Sequence, residues 1–304
     1  MWLFPFLMLD VTIAQQTNFM SSVTNNVTIA DLRAKAESGD AQSQYELGVA
    51  FDFGKLGVGK DYAEAVKWFR KAAEQNNPAA QDNLGQCYTA GEGVAQDYAE
   101  AVKWYRKAAE QNCVPAQFHL GNSYDLGLGV ESDDVEAIKW YRKAAEKNFA
   151  QAEFNLGQFY RFGRGVAKDE VEAAEWFRKA ADRGLAEGQC AFGYCCINGT
   201  GVPKDLTEAL KWYRKSAEQN FAQAQYDLGL CYANGEGVSK NYVEAYKWWT
   251  LAASQNNADA QKYLSVLTGS MSPDQIAEGQ KLVHDFTPQK IPTVWVDHSD
   301  STSP

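Results

Sequence analysis

Read as a pattern of apolar and polar positions, residues 78–111 contain two amphipathic segments joined by a glycine-containing turn. In the first, Pro78–Ala90, the side chains of Ala80, Leu84 and Tyr88 recur every fourth residue and share one face of a helix. The second, Tyr98–Gln111, carries Trp104-Tyr105-Arg106-Lys107 between alanines. Both are predicted to be α-helices, the A and B helices of one unit. The unit then returns: Trp68, Trp104, Trp140, Trp176, Trp212 and Trp248 follow one another at intervals of 36 residues. A fixed period of about 20–50 residues marks a stacked array whose units cannot bury their cores alone. The chain is therefore expected to be an all-α solenoid of about six helix pairs over residues 28–286.

The ends of the helices are also written in the pattern. Asp97 and Glu100 form an Asp-x-x-Glu start signal, in which the Asp accepts from an unpaired backbone N–H and the Glu can reach back to the cap's own N–H. It recurs as Asp61/Glu64, Asp133/Glu136, Asp169/Glu172, Asp205/Glu208 and Asn241/Glu244, so these carboxylates belong to helix starts and not to paired catalytic acids. Helix B stops at a residue that is always Gly or Asn: Gly39, Asn76, Asn112, Asn148, Gly184, Asn220 and Asn256. Those two types tolerate the left-handed backbone that closes a helix. The A–B loops carry glycine pairs such as Gly91/Gly93, and the first unit's pair, Gly54/Gly57, is one residue wider. Thr28 should cap a short closing helix, Ile29–Ser38, and the array should end with Ala258–Leu267 and a last helix from Ser272 to about Phe286.

A helical wheel drawn on helix A puts Ala80, Leu84, Gly85 and Tyr88 on the packed side, with Gly85 allowing close helix approach. The variable positions two before, two after and five after the Leu fall opposite, where a binding face is expected. Two before it stand Tyr45, Asp82, Phe118, Phe154, Cys190 and Tyr226. Two after it stand Val49, Gln86, Asn122, Gln158, Tyr194 and Leu230, and five after it Asp125 and Arg161. Aromatic area interleaved with amides and a few charges suits an extended peptide. The candidate partner-binding residues are thus Tyr45, Gln86, Phe118, Asn122, Asp125, Phe154, Gln158, Arg161, Tyr194 and Tyr226. The tryptophans of helix B read as packing anchors between units.

Charge and rare residues narrow the classes. A net charge of −10 without a basic block argues against nucleic acid as a partner. His119, His284 and His298 are scattered, no Cys/His spacing matches a metal site, and His119 reads as a groove or surface side chain. No catalytic residue, cofactor or metal site is expected. The six cysteines read as structural thiols, with Cys113 and Cys190 the first candidates should a bridge form. Residues 1–14 resemble a short signal peptide without its basic start, too short to span a bilayer, and 15–27 read as a polar linker. Export through that segment is one expectation, and a cytoplasmic chain the other. Residues 287–304 read as a flexible polar tail interrupted by Val294-Trp295-Val296.

The run Ala-x-x-x-Leu-Gly-x-x-Tyr, then Gly-x-Gly-Val, then Asp-x-x-Glu-Ala-x-Lys-Trp-Tyr-Arg-Lys-Ala-Ala, as in Ala80–Ala109, resembles the Sel-one-like repeat, a relative of the tetratricopeptide repeat. The resemblance implies a right-handed superhelix with helix A on the concave side and a role as an adaptor in protein complexes. A protein or peptide partner and a monomeric chain are the expectations. Cysteine-rich secreted members of that family have been described as penicillin-binding or β-lactamase proteins. They carry a cysteine pair in each unit, which this chain lacks together with the Ser-x-x-Lys and Lys-Thr-Gly elements of serine hydrolases.

Overall fold

The computed structural model describes residues 28–289. The leader-like segment 1–14, the linker 15–27 and residues 290–304, including Val294-Trp295-Val296, lie outside the described residues. The described residues form fifteen α-helices and no strand, in two compact units divided after Lys147. Unit one holds the closing helix α1 (Ile29–Glu37) and three A/B pairs: α2 (Ala41–Phe53) with α3 (Tyr62–Glu74), α4 (Pro78–Ala90) with α5 (Tyr98–Glu110), and α6 (Val114–Leu126) with α7 (Asp134–Ala145). Unit two holds three more pairs, α8 (Ala150–Phe162) with α9 (Glu170–Asp182), α10 (Ala186–Asn198) with α11 (Leu206–Glu218), and α12 (Ala222–Asn234) with α13 (Tyr242–Ser254). It closes with a last A helix, α14 (Ala258–Thr268), and α15 (Pro273–His284).

Helix ends follow the local chemistry. Asn76, Asn112, Asn148, Asn220 and Asn256 take φ of 62–68°, the left-handed backbone that ends helix B. In the A–B loop, a Cβ on Gly93 would collide with the Tyr62 carbonyl oxygen, so the loop rests directly on the start of the preceding B helix. The wider first loop is accommodated with Leu56 at φ 55°.

The start signal needs one correction. Asp97 accepts from the Glu100 N–H at 3.0 Å as expected, but Glu100 turns forward and pairs with Lys103 at 2.8 Å. In unit two Glu172, Glu208 and Glu244 accept instead from the indole N–H of Trp176, Trp212 and Trp248, at 3.0, 2.6 and 3.1 Å. Reciprocal boxes are made at Thr28/Asp31 and Ser272/Gln275.

Packing within a pair rests on one contact. The aromatic after each Trp lies on the glycine of its own A helix, and a Cβ on Gly85 would stand 2.6 Å from the Tyr105 ring. The tryptophans of the six pairs are buried, except for the half-buried Trp176; a lysine three residues on covers each ring, with Lys107 Nζ 4.0 Å from the Trp104 centroid, except at Trp248, where Lys247 does so from one residue before. Successive pairs are tied by polar bonds: Arg70 and Arg106 donate to the Tyr88 and Tyr124 hydroxyls at 2.6 and 2.8 Å. A second tie uses buried glutamines. Gln81 donates to the Ala73 carbonyl and accepts from Gln111 at 2.7 Å, an arrangement repeated at Gln189/Gln219 and Gln225/Gln255. At one place this amide pair is exchanged for an ion pair, the buried Glu153 with Arg183 at 2.9 Å, and burial keeps the Glu153 carboxyl above its ordinary range although Arg183 pulls it down. All six cysteines are free thiols, so no bridge involves Cys113 or Cys190.

Candidate functional site

The expected binding face is the row of A helices, and neighbouring A helices meet there in a regular way. A side chain two before the repeat Leu touches the side chain one before the Leu of the next A helix. In unit one the Tyr45 hydroxyl bonds the Asn83 side chain, and Asp82 Oδ1 lies 2.8 Å from His119 Nδ1. In unit two the Cys190 thiol donates to Asp227 at 3.6 Å, and the Tyr226 ring lies 5.9 Å from the Tyr263 ring. The wheel of one helix cannot show this flank contact, because the covering residue belongs to the next A helix.

Unit one ties most of this row internally, although Leu126 at the end of α6 is 60% exposed. Phe118 is fully buried against Tyr141, with ring centroids 5.8 Å apart, which overturns its place on a binding face. His119 is likewise buried, neither a groove nor a surface side chain: its Nδ1 is held by Asp82, and its ring packs 5.1 Å from Tyr105. Gln86 donates to the other oxygen of Asp82 at 2.9 Å, so its amide is engaged internally. Asn122 and Asp125 both accept from the Tyr141 hydroxyl, at 2.6 and 3.2 Å. Tyr45 is half-buried, and desolvation pushes its hydroxyl pKa up. A small cavity beside His119 is lined also by Thr89, Tyr105 and Ser123, but the two aliphatic hydroxyls donate to the Gly85 and His119 carbonyls, at 3.0 and 2.9 Å. A His–Asp pair without a freed nucleophile is a buried polar tie, not an acyl-transfer site.

Unit two leaves the row open. Phe154 is half-buried, 5.7 Å from the Phe177 ring, and Gln158 is half-buried with its carbonyl oxygen unpaired. Tyr194 is 41% exposed and lies under the Arg161 guanidinium, whose Cζ is 4.6 Å from the ring centroid. Tyr226 is half-buried, and burial together with the neighbouring Tyr263 hydroxyl lifts its own hydroxyl to about 12. Two further residues extend the face, Tyr263 at 42% and Val266 at 72% exposure on α14. Extending the register to the incomplete last unit would have found Val266, which stands two after Leu264 as Tyr194 stands two after Phe192. Among the described residues no three His, Cys, Asp or Glu side chains converge as a metal site, and no helix is long and apolar enough to cross a membrane.

Six consecutive segments, 41–77, 78–113, 114–149, 150–185, 186–221 and 222–257, match the Sel1 repeat. The chain belongs to the Sel1-repeat family. The six matched segments begin at the A helices and carry the caps, loop glycines and tryptophans described above. Members of this family are commonly protein-interaction scaffolds. A crystal structure of a Sel1 repeat protein from Oxalobacter formigenes is 35% identical and superposes with a TM-score of 0.68, covering 79% of this chain and 96% of that one. A protective antigen of uropathogenic Escherichia coli strains displaying an SLR fold is 26% identical over 90% of this chain and 82% of that one, with a TM-score of 0.46. The ERAD-associated E3 ubiquitin-protein ligase component HRD3A of Arabidopsis thaliana is 34% identical over 62 residues, which make up 20% of this chain and 9% of that protein.

Proposed function

We propose that this Sel1-repeat chain is a non-catalytic interaction scaffold that receives an extended peptide or protein segment on the A-helix row of unit two. The observation that carries this reading is the difference in exposure between equivalent A helices of the two units. Tyr194, Tyr263 and Val266 present apolar area to solvent beside the half-buried amide of Gln158 and the cation of Arg161. Rigid aromatic side chains next to polar groups are what peptide-binding surfaces use for area and for holding backbone. Family membership and the naming of the Arabidopsis relative as a ligase component support a role in assembling other proteins. That relative matches over a small share of its length, so its process is not carried over.

The test is capture of partners from native extract by the intact chain and by a Tyr194→Ser/Tyr263→Ser variant. Melting curves check that the variant is folded at the temperature of capture, since Tyr263 also packs on Tyr226 and Trp249. Partners held by the intact chain and lost by the variant are the expected result. Partners that bind both equally would contradict the assignment of this face.

A further inference from the structure

We infer that the Arg161–Tyr194 pair of unit two receives a single carboxylate of the bound segment, an inference that rests on reading the A-helix row as the binding face. Arg161 lies in the last turn of α8, half-buried, with its guanidinium carbon 4.6 Å from the Tyr194 centroid and 5.4 Å from that of Phe162, both rings being exposed. Among the described residues no carboxylate pairs with it. The other arginines of unit two that make ion pairs show the contrast: Arg178 reaches Asp182 at 3.9 Å and Arg183 holds Glu153. The negative end of the α8 dipole favours a cation there but offers no planar acceptor to the guanidinium fork. A guanidinium held against a ring keeps its N–H edge in a fixed plane, and that edge matches a carboxylate with two parallel hydrogen bonds.

The chemistry also limits the partner. The chain carries a net charge of −10, so a strongly acidic segment would be repelled at long range. One Asp or Glu in an otherwise neutral, apolar segment satisfies both conditions. The apolar anchor for the rest of the segment is Tyr226 with Tyr263 and Val266, carried by α12 and α14. Packed helices stand about 8–10 Å apart and an extended chain rises about 3.3 Å per residue, so two helix steps correspond to about six residues. The expected segment therefore has one acidic side chain and a large apolar side chain about six positions away.

A displayed library of random dodecapeptides, panned on the intact chain, on Arg161→Glu and on Tyr194→Ser/Tyr263→Ser, tests this. Melting curves check that each variant folds, and Arg161→Gln stands in should the charge reversal destabilise. The expected result is an Asp or Glu at a fixed distance from an apolar residue on the intact chain, exchanged for Lys or Arg on Arg161→Glu. A synthetic enriched peptide should then bind Arg161→Gln about tenfold or more weakly. Peptides that enrich without a preferred acid, bind Arg161→Gln unchanged and are lost only on Tyr194→Ser/Tyr263→Ser would overturn the carboxylate site and leave the binding face standing. Peptides that bind Tyr194→Ser/Tyr263→Ser as well as the intact chain would overturn both.

Discussion

The A-helix rows of the two units are built from the same repeat and differ in how many of their variable side chains are tied internally. In unit one the variable positions are turned into internal ties: Asp82 is fully buried between His119 and Gln86, and Asn122 and Asp125 close on Tyr141. In unit two Cys190 is likewise buried on Asp227, but Tyr194 stays exposed beside an Arg without a carboxylate. The B helices reverse the contrast. The indole N–H groups of Trp104 and Trp140 are buried without a partner in unit one, whereas Trp176, Trp212 and Trp248 are satisfied by Glu172, Glu208 and Glu244. A repeat framework thus fixes where helices lie and leaves the variable positions free to become either core or surface.

The largest expected effect concerns a tie inside unit two. Arg183→Ala leaves the buried Glu153 carboxylate unpaired and should destabilise by about 3–4 kcal/mol, the lower part of the range for buried pairs because Arg183 is part-exposed. Urea unfolding measures it, and Glu153→Gln/Arg183→Gln, which rebuilds the amide pair seen at Gln189/Gln219, should recover most of the loss. In unit one, Asp82→Ala removes the acceptor of two donors and should cost about 2–3 kcal/mol. A loss under about 0.5 kcal/mol would mean that this row is not structural.

A pH effect separates the two polar rungs further. Burial lifts the Asp227 carboxyl to about 6, against hydrogen bonds from Gln223 and Cys190 that pull it down. Since the folded pKa lies above the unfolded one, its stabilising contribution is complete below about pH 4 and is lost as the pH rises through about 6. Asp227→Asn should accordingly stabilise by about 1–2 kcal/mol at pH 7.5 and change little at pH 4, as read from melts at the two pH values. The smallest effect is expected at the open face itself, where Tyr194→Ser should change stability by less than about 0.5 kcal/mol.

Much of this was legible in the chain. The bounds of α4, the left-handed Asn and Gly at helix ends, the extra residue of the first loop and the close helix approach at Gly85 all follow from local pattern. The burial of Phe118 and His119 does not, because the wheel of α6 alone leaves out the Tyr141 ring on its paired helix and the Asp82 carboxylate on the preceding A helix. The forward turn of Glu100 was hidden for a related reason: Lys103 competes for the same carboxylate one turn on. Glu153 and Arg183 stand 30 residues apart, and their pairing becomes visible only when their positions are aligned with Gln189 and Gln219.

The most direct test of the division between a closed and an open row is amide hydrogen exchange of the intact chain with and without an enriched dodecapeptide. Added protection confined to the A helices of unit two, Ala150–Phe162, Ala186–Asn198, Ala222–Asn234 and Ala258–Thr268, is the predicted result. Protection appearing instead on Ala41–Phe53, Pro78–Ala90 and Val114–Leu126 would contradict it.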